Sequence, residues 1–325
     1  MSELPSGVSV VVPVYNGETT LRELIDNLGR VLPGAVPCFE AVLVNDGSRD
    51  ASGQIIEELA ARHPWVRAIN LSRNYGQHNA TLCGVRAAKF DVVVTMDDDL
   101  QHPAENIPLL LAKLNEGYDV VYGTPQSRPH GFWRNLASGI TKIALQSAMD
   151  VETARGVSAL RAFRTATRNS FAEYRSPYLS MDVILTWSTT RFAAIRVPHD
   201  PRPAGTSNYT FLMLVRHAVN MMTGFSTAPL QLATLVGFSF ALAGVAVLAW
   251  VLGRYLLEGE SVPGFPFLAS IVAIFAGAQL FALGIIGEYV ARMHLRTMEK
   301  PTYVIRSDSE SMVSDSFSVR PDPRG

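Results

Sequence analysis

The sequence predicts an α/β domain with a mostly parallel sheet, followed by an interfacial amphipathic helix and two transmembrane helices. Three observations carry that expectation. Short β-branched runs alternate with segments of helical periodicity from Val8 to Tyr122, the pattern of parallel strands buried on both faces. Three of those runs end in polar clusters, which is where ligands bind in such sheets. Two stretches, between Arg216 and Arg254 and from Ser261 to Gly287, contain no Asp, Glu, Lys or Arg. Each exceeds the roughly 20 residues that cross a bilayer.

Val8 to Val14 is nearly continuous in apolar residues and forms the first expected strand, closed by the turn Pro13-Val14-Tyr15-Asn16-Gly17. Leu21, Leu24, Ile25 and Leu28 then recur at helical spacing between Glu18 and Val31. Phe39 to Val44 is the second strand, ending at Asn45-Asp46-Gly47-Ser48, with a helix from about Ala51 to Arg62. Val66 to Leu71 is the third, and Ser72-Arg73-Asn74-Tyr75-Gly76-Gln77-His78 leads into a helix through about Ala88. Asp91 to Met96 is the fourth strand, Pro103 to Glu116 a helix, and Asp119 to Tyr122 the fifth strand. From Tyr209 to Phe225, Phe211, Leu212, Leu214, Val215, Val219 and Met222 share one side while Arg216 and His217 take another. That pattern fits a helix in the membrane interface and also a core helix. Pro229 to Gly253 and Phe265 to Gly287 are the two expected spans. Gly277, Ala278, Gly284 and Gly287 allow the second span to pack closely on another helix or on the first span. Ser307 to Gly325 is rich in Ser, Asp and Pro and is expected to be disordered.

The 325 residues are 48% hydrophobic and 18% charged, with a formal net charge of -1. No basic cluster occurs, which argues against nucleic acid as a partner. The only cysteines, Cys38 and Cys83, read as reduced core thiols. No basic segment followed by a longer apolar one opens the chain, so no signal peptide is expected. Arg202 and Arg216 flank the first span, and Arg292, Arg296 and Lys300 follow the second. By the positive-inside rule both termini and the α/β domain are expected in the cytoplasm.

The most informative stretch is Asp97-Asp98-Asp99-Leu100-Gln101-His102-Pro103, directly after the fourth strand. If the extended backbone persists, Asp97 and Asp99 point to one side with Gln101 following at the same period, and Asp98 points to the other. Two carboxylates and an amide oxygen make a hard-oxygen site suited to Mg²⁺ or Mn²⁺, which keep waters and bind substrate phosphates. The same residues fit a capping turn, with Asp99 or His102 closing the strand and Pro103 opening a helix. Asp46 offers an acceptor for a base N–H or a ribose hydroxyl and Gly47 a tight turn, though an ordinary Asp-Gly-Ser turn fits too. Neither G-x-G-x-x-G nor a phosphate-loop pattern is present.

Val12-Pro13-Val14-Tyr15-Asn16, Val44-Asn45-Asp46-Gly47-Ser48, Leu71-Ser72-Arg73-Asn74-Tyr75-Gly76 and the Asp97 to Pro103 stretch occur in this order ahead of two apolar spans. Together they resemble glycosyltransferase family 2, in its polyisoprenyl-phosphate branch, over roughly residues 8 to 305. The resemblance implies an A-type glycosyltransferase fold, which is Rossmann-like, and inverting transfer of one sugar. It also implies a nucleotide-diphosphate sugar donor, Mg²⁺ or Mn²⁺, and undecaprenyl or another polyisoprenyl phosphate as acceptor. The setting it implies is a bacterial inner membrane, with a homo-oligomer, a tetramer, as in the family. The expected organisation is a cytoplasmic catalytic domain over 1–206, an interfacial helix over 207–227, two transmembrane helices over 228–291, and a cytoplasmic tail over 292–325.

By the same resemblance, Asp97, Asp99 and Gln101 handle the metal and diphosphate, and Pro13, Tyr15, Asn16 and Asp46 frame the nucleotide. Arg128 and Arg134, in the loop that also holds His130, and Arg202 gather donor and acceptor phosphates, for which a guanidinium fork is well shaped. Solvated surface charge, or for Arg202 a salt bridge, also fits these residues. Ser158 lines the sugar pocket. Relatives commonly carry an acidic residue just before the aromatic-Arg pair Phe163-Arg164, where this chain has Ser158 and Ala159. The chemistry does not require a base there, because a phosphomonoester with a second pKa of about 6 arrives ionised. His199 to Tyr209 resembles the family's R-x-x-G-x-S-K-Y segment, with Ser207 a substrate-binding candidate and Asn208 where Lys is usual. A processive polysaccharide synthase would need a Q-x-x-R-W motif and more spans, which are absent. A catalytically idle nucleotide-sugar-binding membrane scaffold is the remaining alternative.

Overall fold

The computed structural model describes residues 5–125, 156–175, 179–200, 227–258 and 264–310. The expected interfacial helix from Tyr209 to Phe225 lies outside the described residues, as does the tail beyond Glu310. The chain divides into two units, Met1–Thr210 with Lys300–Gly325, and Phe211–Glu299.

The first unit is built on one eight-stranded sheet. In chain order it holds β1 (Val8–Val14), α1 (Leu21–Ala35), β2 (Phe39–Asn45), α2 (Ser52–Arg62), β3 (Val66–Leu71), α3 (Gln77–Ala87) and β4 (Val92–Thr95). After these come α4 (Asn106–Leu114), β5 (Val120–Pro125), β6 (Arg161–Arg164), β7 (Phe192–Val197) and β8 (Ile305–Asp308). The strand order is β7-β5-β6-β4-β1-β2-β3-β8. β1 pairs in parallel with β2 and β4, β2 with β3, and β5 with β7. β6 runs antiparallel between β4 and β5, and β8 antiparallel to β3.

Period-two alternation explains the continuous apolar strands. Val8, Val10, Val12 and Val14 enter one core with α1, α2 and α4, whereas Val11 enters a second core with α3 and the short helix Met181–Leu185. Ala41 and Leu43 share the first core, Val42 and Val44 the second. α1 supplies Leu21, Leu24, Ile25, Leu28 and Leu32, all fully buried, and each such side chain contributes roughly 1.5–3 kcal/mol. The five expected strands are present. Three more were not expected. β6 and β7 follow the Gly123 to Arg134 region. β8 falls where disorder was expected from Ser307 onward, so Ser307 and Asp308 join the sheet edge rather than a free tail. Arg67 holds this strand, donating from Nε and Nη2 to Asp308 at 3.0 and 2.6 Å and pairing with Glu310 at 2.5 Å. Cys83 is buried, its thiol pushed up to about 12 by that burial, but Cys38 is exposed rather than a core thiol.

The second unit holds two long helices, Ala228–Glu258 and Phe265–Thr297, extending past the expected spans. Among the described residues, Ala228–Leu257 and Ile274–Thr297 are long and apolar enough to cross a membrane. Gly244 of the first helix lies against the Phe275 ring, and Phe240 meets that ring edge-on at 5.7 Å. Gly277, Gly284 and Gly287 face open space among the described residues, so they do not mediate packing on the first helix.

Candidate active site

The carboxyl ends of β1, β2 and β4 and the start of α3 surround a cavity of about 290 Å³. Pro13, Tyr15, Asp46, Asp97 and Asp99, all expected site residues, line it together with Asn74, Gly76, Gln77 and Asp98. Tyr15 stands at its mouth with 46% of its surface exposed. Asn16, Gln101 and Ser158 do not line this cavity. Arg128, Arg134, Arg202 and Ser207 lie outside the described residues, as do His130 and Asn208.

The loops carrying these residues are stitched by short polar side chains. Asn16 takes the left-handed region at φ 56, which Asn tolerates better than most residues. Its N–H donates to Ser48 Oγ at 3.1 Å and its Oδ1 accepts from the Arg49 N–H at 2.9 Å. The Gly17 N–H donates to Ser52 Oγ at 2.9 Å. Asn16 therefore ties the β1 and β2 loops together instead of facing the cavity. Gly47 sits at φ 67, and a Cβ there would lie 2.5 Å from the Arg73 carbonyl carbon and 2.6 Å from the Asn74 nitrogen. Only glycine accommodates that turn against the β3–α3 loop.

Asp46 is buried, and both of its oxygens accept backbone N–H groups, from Tyr75 at 2.7 Å and Gly76 at 2.8 Å. Burial raises its carboxyl above the usual range, and those two amides oppose the rise. The side chain expected to accept from a nucleotide is thus engaged in shaping the β3–α3 loop, while still forming part of the cavity wall.

The Asp97 to Gln101 stretch departs from the expected alternation. β4 ends at Thr95, and Leu100 adopts φ 59, a conformation that costs a bulky L-residue roughly 1–2 kcal/mol. Packing of the Leu100 side chain against the first core offsets that cost. The turn takes Gln101 off the period of two. Its N–H donates to Asp99 Oδ1 at 3.2 Å and its carbonyl accepts from the Asp200 N–H at 2.9 Å. Asp98 was expected on the opposite side, yet it shares the cavity wall, with Oδ2 sealed against Gly17 and without a hydrogen-bond partner among the described residues. Burial, then the charges of Asp97 and Asp99, push its carboxyl up to about 7. His102, buried and 4.8 Å from the His199 ring, is pushed down to about 4, by burial first and His199 second.

Gln77 was not singled out by the sequence. It opens α3, and its Nε2 donates to Asp97 Oδ1 at 2.6 Å. The segment holding Ser158 is fastened across the ends of β4 and β5 by Thr95 Oγ1 to the Ala159 carbonyl at 2.9 Å and Thr124 Oγ1 to the Gly156 carbonyl at 2.8 Å. Below it, Arg161 and Asp182 form a buried ion pair beside Tyr122.

Asp97 and Asp99 fit a hard divalent cation, because both carboxylates line one cavity, and their charges add to the burial that raises Asp98 between them. Among the described residues no group of three or more His, Cys, Asp or Glu could hold a metal ion. Two carboxylates, with water and a substrate diphosphate completing the shell, is how Mg²⁺ is usually bound.

The model of the family described as Glycosyl transferase family 2 matches residues 9–171. Over 324 residues the chain is 36% identical to the undecaprenyl-phosphate 4-deoxy-4-formamido-L-arabinose transferase of Pseudomonas savastanoi pv. phaseolicola, covering 97% of this chain and 96% of that protein. The chain belongs to glycosyltransferase family 2. The family's enzyme of the same name from Proteus mirabilis is 34% identical over 302 residues, covering 92% of this chain and 93% of the relative. Among solved structures, glucosyl-3-phosphoglycerate synthase of Mycobacterium tuberculosis, in complex with Mn²⁺, UDP-glucose and phosphoglyceric acid, superposes with a TM-score of 0.50 at 18% identity. That match covers 67% of this chain and 79% of the other and shows a shared A-type glycosyltransferase fold. In this glycosyltransferase the cavity lies beyond the carboxyl ends of the parallel strands, where α/β sheets generally bind ligands.

Proposed function

We propose that this glycosyltransferase moves one sugar from a nucleotide-diphosphate sugar to undecaprenyl phosphate, with inversion at the anomeric carbon. The observation that carries the reading is the match over 97% of the chain to an undecaprenyl-phosphate sugar transferase, which spans the sheet, the cavity and both long helices.

The acceptor phosphate is largely ionised at neutral pH, so Ser158 and Ala159 need not supply a base. A phosphate oxygen attacks the anomeric carbon as the bond to the donor diphosphate breaks on the opposite face, which inverts the centre and releases a nucleoside diphosphate. Asp97 and Asp99 would hold Mg²⁺ or Mn²⁺, which when bound neutralises charge developing on the departing diphosphate. Pro13 and Tyr15 frame the base at the cavity mouth. Asp46 and Asn16 shape the loops around it. Arg128, Arg134 and Arg202 gather the phosphates of donor and acceptor, and Ser158 and Ser207 contact substrate. Leu100 breaks the extended alternation and Gln101 does not line the cavity, which favours Asp97 and Asp99 as the metal pair.

The site works at the cytoplasmic face of a bacterial inner membrane. Arg292 and Arg296 near the end of the second helix and Lys300 just beyond it support that side. That β8, which follows the second helix, pairs with β3, which precedes the first, supports a pair of crossings that returns the chain to its starting side.

The test is a product assay. Detergent-purified protein is incubated with undecaprenyl phosphate, Mg²⁺ or Mn²⁺, and a panel of UDP-, GDP- and dTDP-sugars, and the lipids are analysed by mass spectrometry. The expected result is a metal-dependent lipid monophosphate bearing one sugar. Donor binding without any lipid-linked product refutes the reading in favour of an idle nucleotide-sugar-binding scaffold.

A further inference from the structure

We propose that Gln77 is a positioning residue that holds the carboxylate of Asp97 in register for the cation and the donor diphosphate. The inference rests on the metal-dependent reading above and extends it to a residue outside the Asp-rich stretch.

A carboxylate only accepts, so the group facing Asp97 Oδ1 at 2.6 Å is the Gln77 side-chain NH₂. Such a bond to an ionised acceptor is short and strong. The backbone that carries this donor is held from several sides. Asp46 takes the N–H groups of Tyr75 and Gly76, the two residues before Gln77, at 2.7 and 2.8 Å. Gly76 adopts φ 93, which delivers the chain into α3 with Gln77 as its first residue. Thr81 Oγ1 then donates to the Gln77 carbonyl at 2.9 Å, and Asn79 Nδ2 to the Tyr75 carbonyl at 2.8 Å. A buried carboxylate at the end of β2 thus sets the β3–α3 loop. That loop places an amide on the carboxylate at the end of β4. Gln77, Asp46 and Asp97 line the same cavity, which makes this chain of contacts part of the site wall. Groups that orient a metal ligand typically carry roughly 10–100-fold in metal affinity.

The test compares the wild type with Gln77→Met and Gln77→Ala in the full-length, detergent-purified protein. Both substitutions remove the donor and keep helix propensity, and Met also keeps the length. Mn²⁺ binding is titrated by the electron paramagnetic resonance signal of free Mn²⁺, with and without UDP, alongside melting temperatures. The expected result is a roughly 10-fold loss of Mn²⁺ affinity with unchanged melting. In the product assay, turnover should return to the wild-type level at saturating Mn²⁺, which Asp99→Asn should not allow. If Gln77→Met binds Mn²⁺ within about twofold of wild type while Asp97→Asn loses it, Gln77 does not position Asp97. If Asp97→Asn and Asp99→Asn also keep wild-type affinity, or the wild type takes up no Mn²⁺ under either condition, the cation reading fails and this inference falls with it.

Discussion

Asp98 provides the sharpest test of the site's electrostatics. The residue is only partly buried, but its Oδ2 is sealed against Gly17 without a partner among the described residues. Burial, reinforced by Asp97 and Asp99, raises its carboxyl from 3.8 to about 7. At 1.36 kcal/mol per pKa unit, ionising it in the folded, metal-free protein costs about 4 kcal/mol. The sign follows from linkage. A carboxyl raised on folding contributes stability that is fully present below its unfolded pKa near 3.8 and is lost as pH rises through about 7. His102 works in the opposite direction. Its folded pKa of about 4 lies below the usual 6.5, so stability is lost as pH falls between those values. In the wild type the two trends largely cancel between about pH 4 and 6.5. Asp98→Asn, isosteric with the protonated acid, removes one of them.

The variant should therefore be the more stable protein, by about 2 kcal/mol at pH 5 and about 4 kcal/mol at pH 7.5. For a domain of this size, the larger figure corresponds to a melting temperature roughly 8–16 °C higher. The assay is thermal unfolding of EDTA-treated protein in detergent, followed by tryptophan fluorescence at steps from pH 5 to 8. Millimolar Mn²⁺ should shrink the gap, because a bound cation offsets the repulsion that raises Asp98. Parallel wild-type and variant pH profiles would refute both the sealed carboxyl and the charge concentration inferred from it.

The other predictions concern single contacts. Gly17→Ala places a Cβ inside the contact radius of Asp98 Oδ2 and 3.1 Å from its Cγ, which should cost about 1–3 kcal/mol. Adding Asp98→Ala should restore most of that loss in a melting-temperature double-mutant cycle. Asp182→Ala leaves the Arg161 guanidinium, 5% exposed, buried without its partner, and should cost about 3–5 kcal/mol. The double variant Arg161→Met with Asp182→Leu should recover most of that stability by denaturant titration. Asp99→Asn should abolish the lipid-linked product while melting like the wild type. Full activity in that variant would remove Asp99 from the metal assignment.

How much of this was legible in the sequence depended on the range of the interactions. β1 to β5 were readable because burial on both faces writes an unbroken apolar run, as in Val8 to Val14. β6, an interior strand of the sheet, is four residues long and reads Arg161-Ala162-Phe163-Arg164, with no apolar run to announce it. β8 is polar, and its place is set by Arg67 and Asn70, more than 230 residues earlier in the chain; no local pattern encodes that pairing. The site divides in the same way. Pro13, Tyr15, Asp97 and Asp99 reach the cavity because each lies at, or within a few residues of, the carboxyl end of a strand. The loop-shaping role of Asp46 was hidden because an Asp at a strand end reads identically whether it accepts from a ligand or from a backbone amide, and the Tyr75 and Gly76 amides it accepts from are presented by a separate loop. Gln101 falls outside the cavity lining because alternation holds only while the backbone stays extended, and Leu100 breaks it at φ 59. Hydropathy marks the two long apolar helices one at a time, but it carries no sign that the chain after them returns to pair with β3.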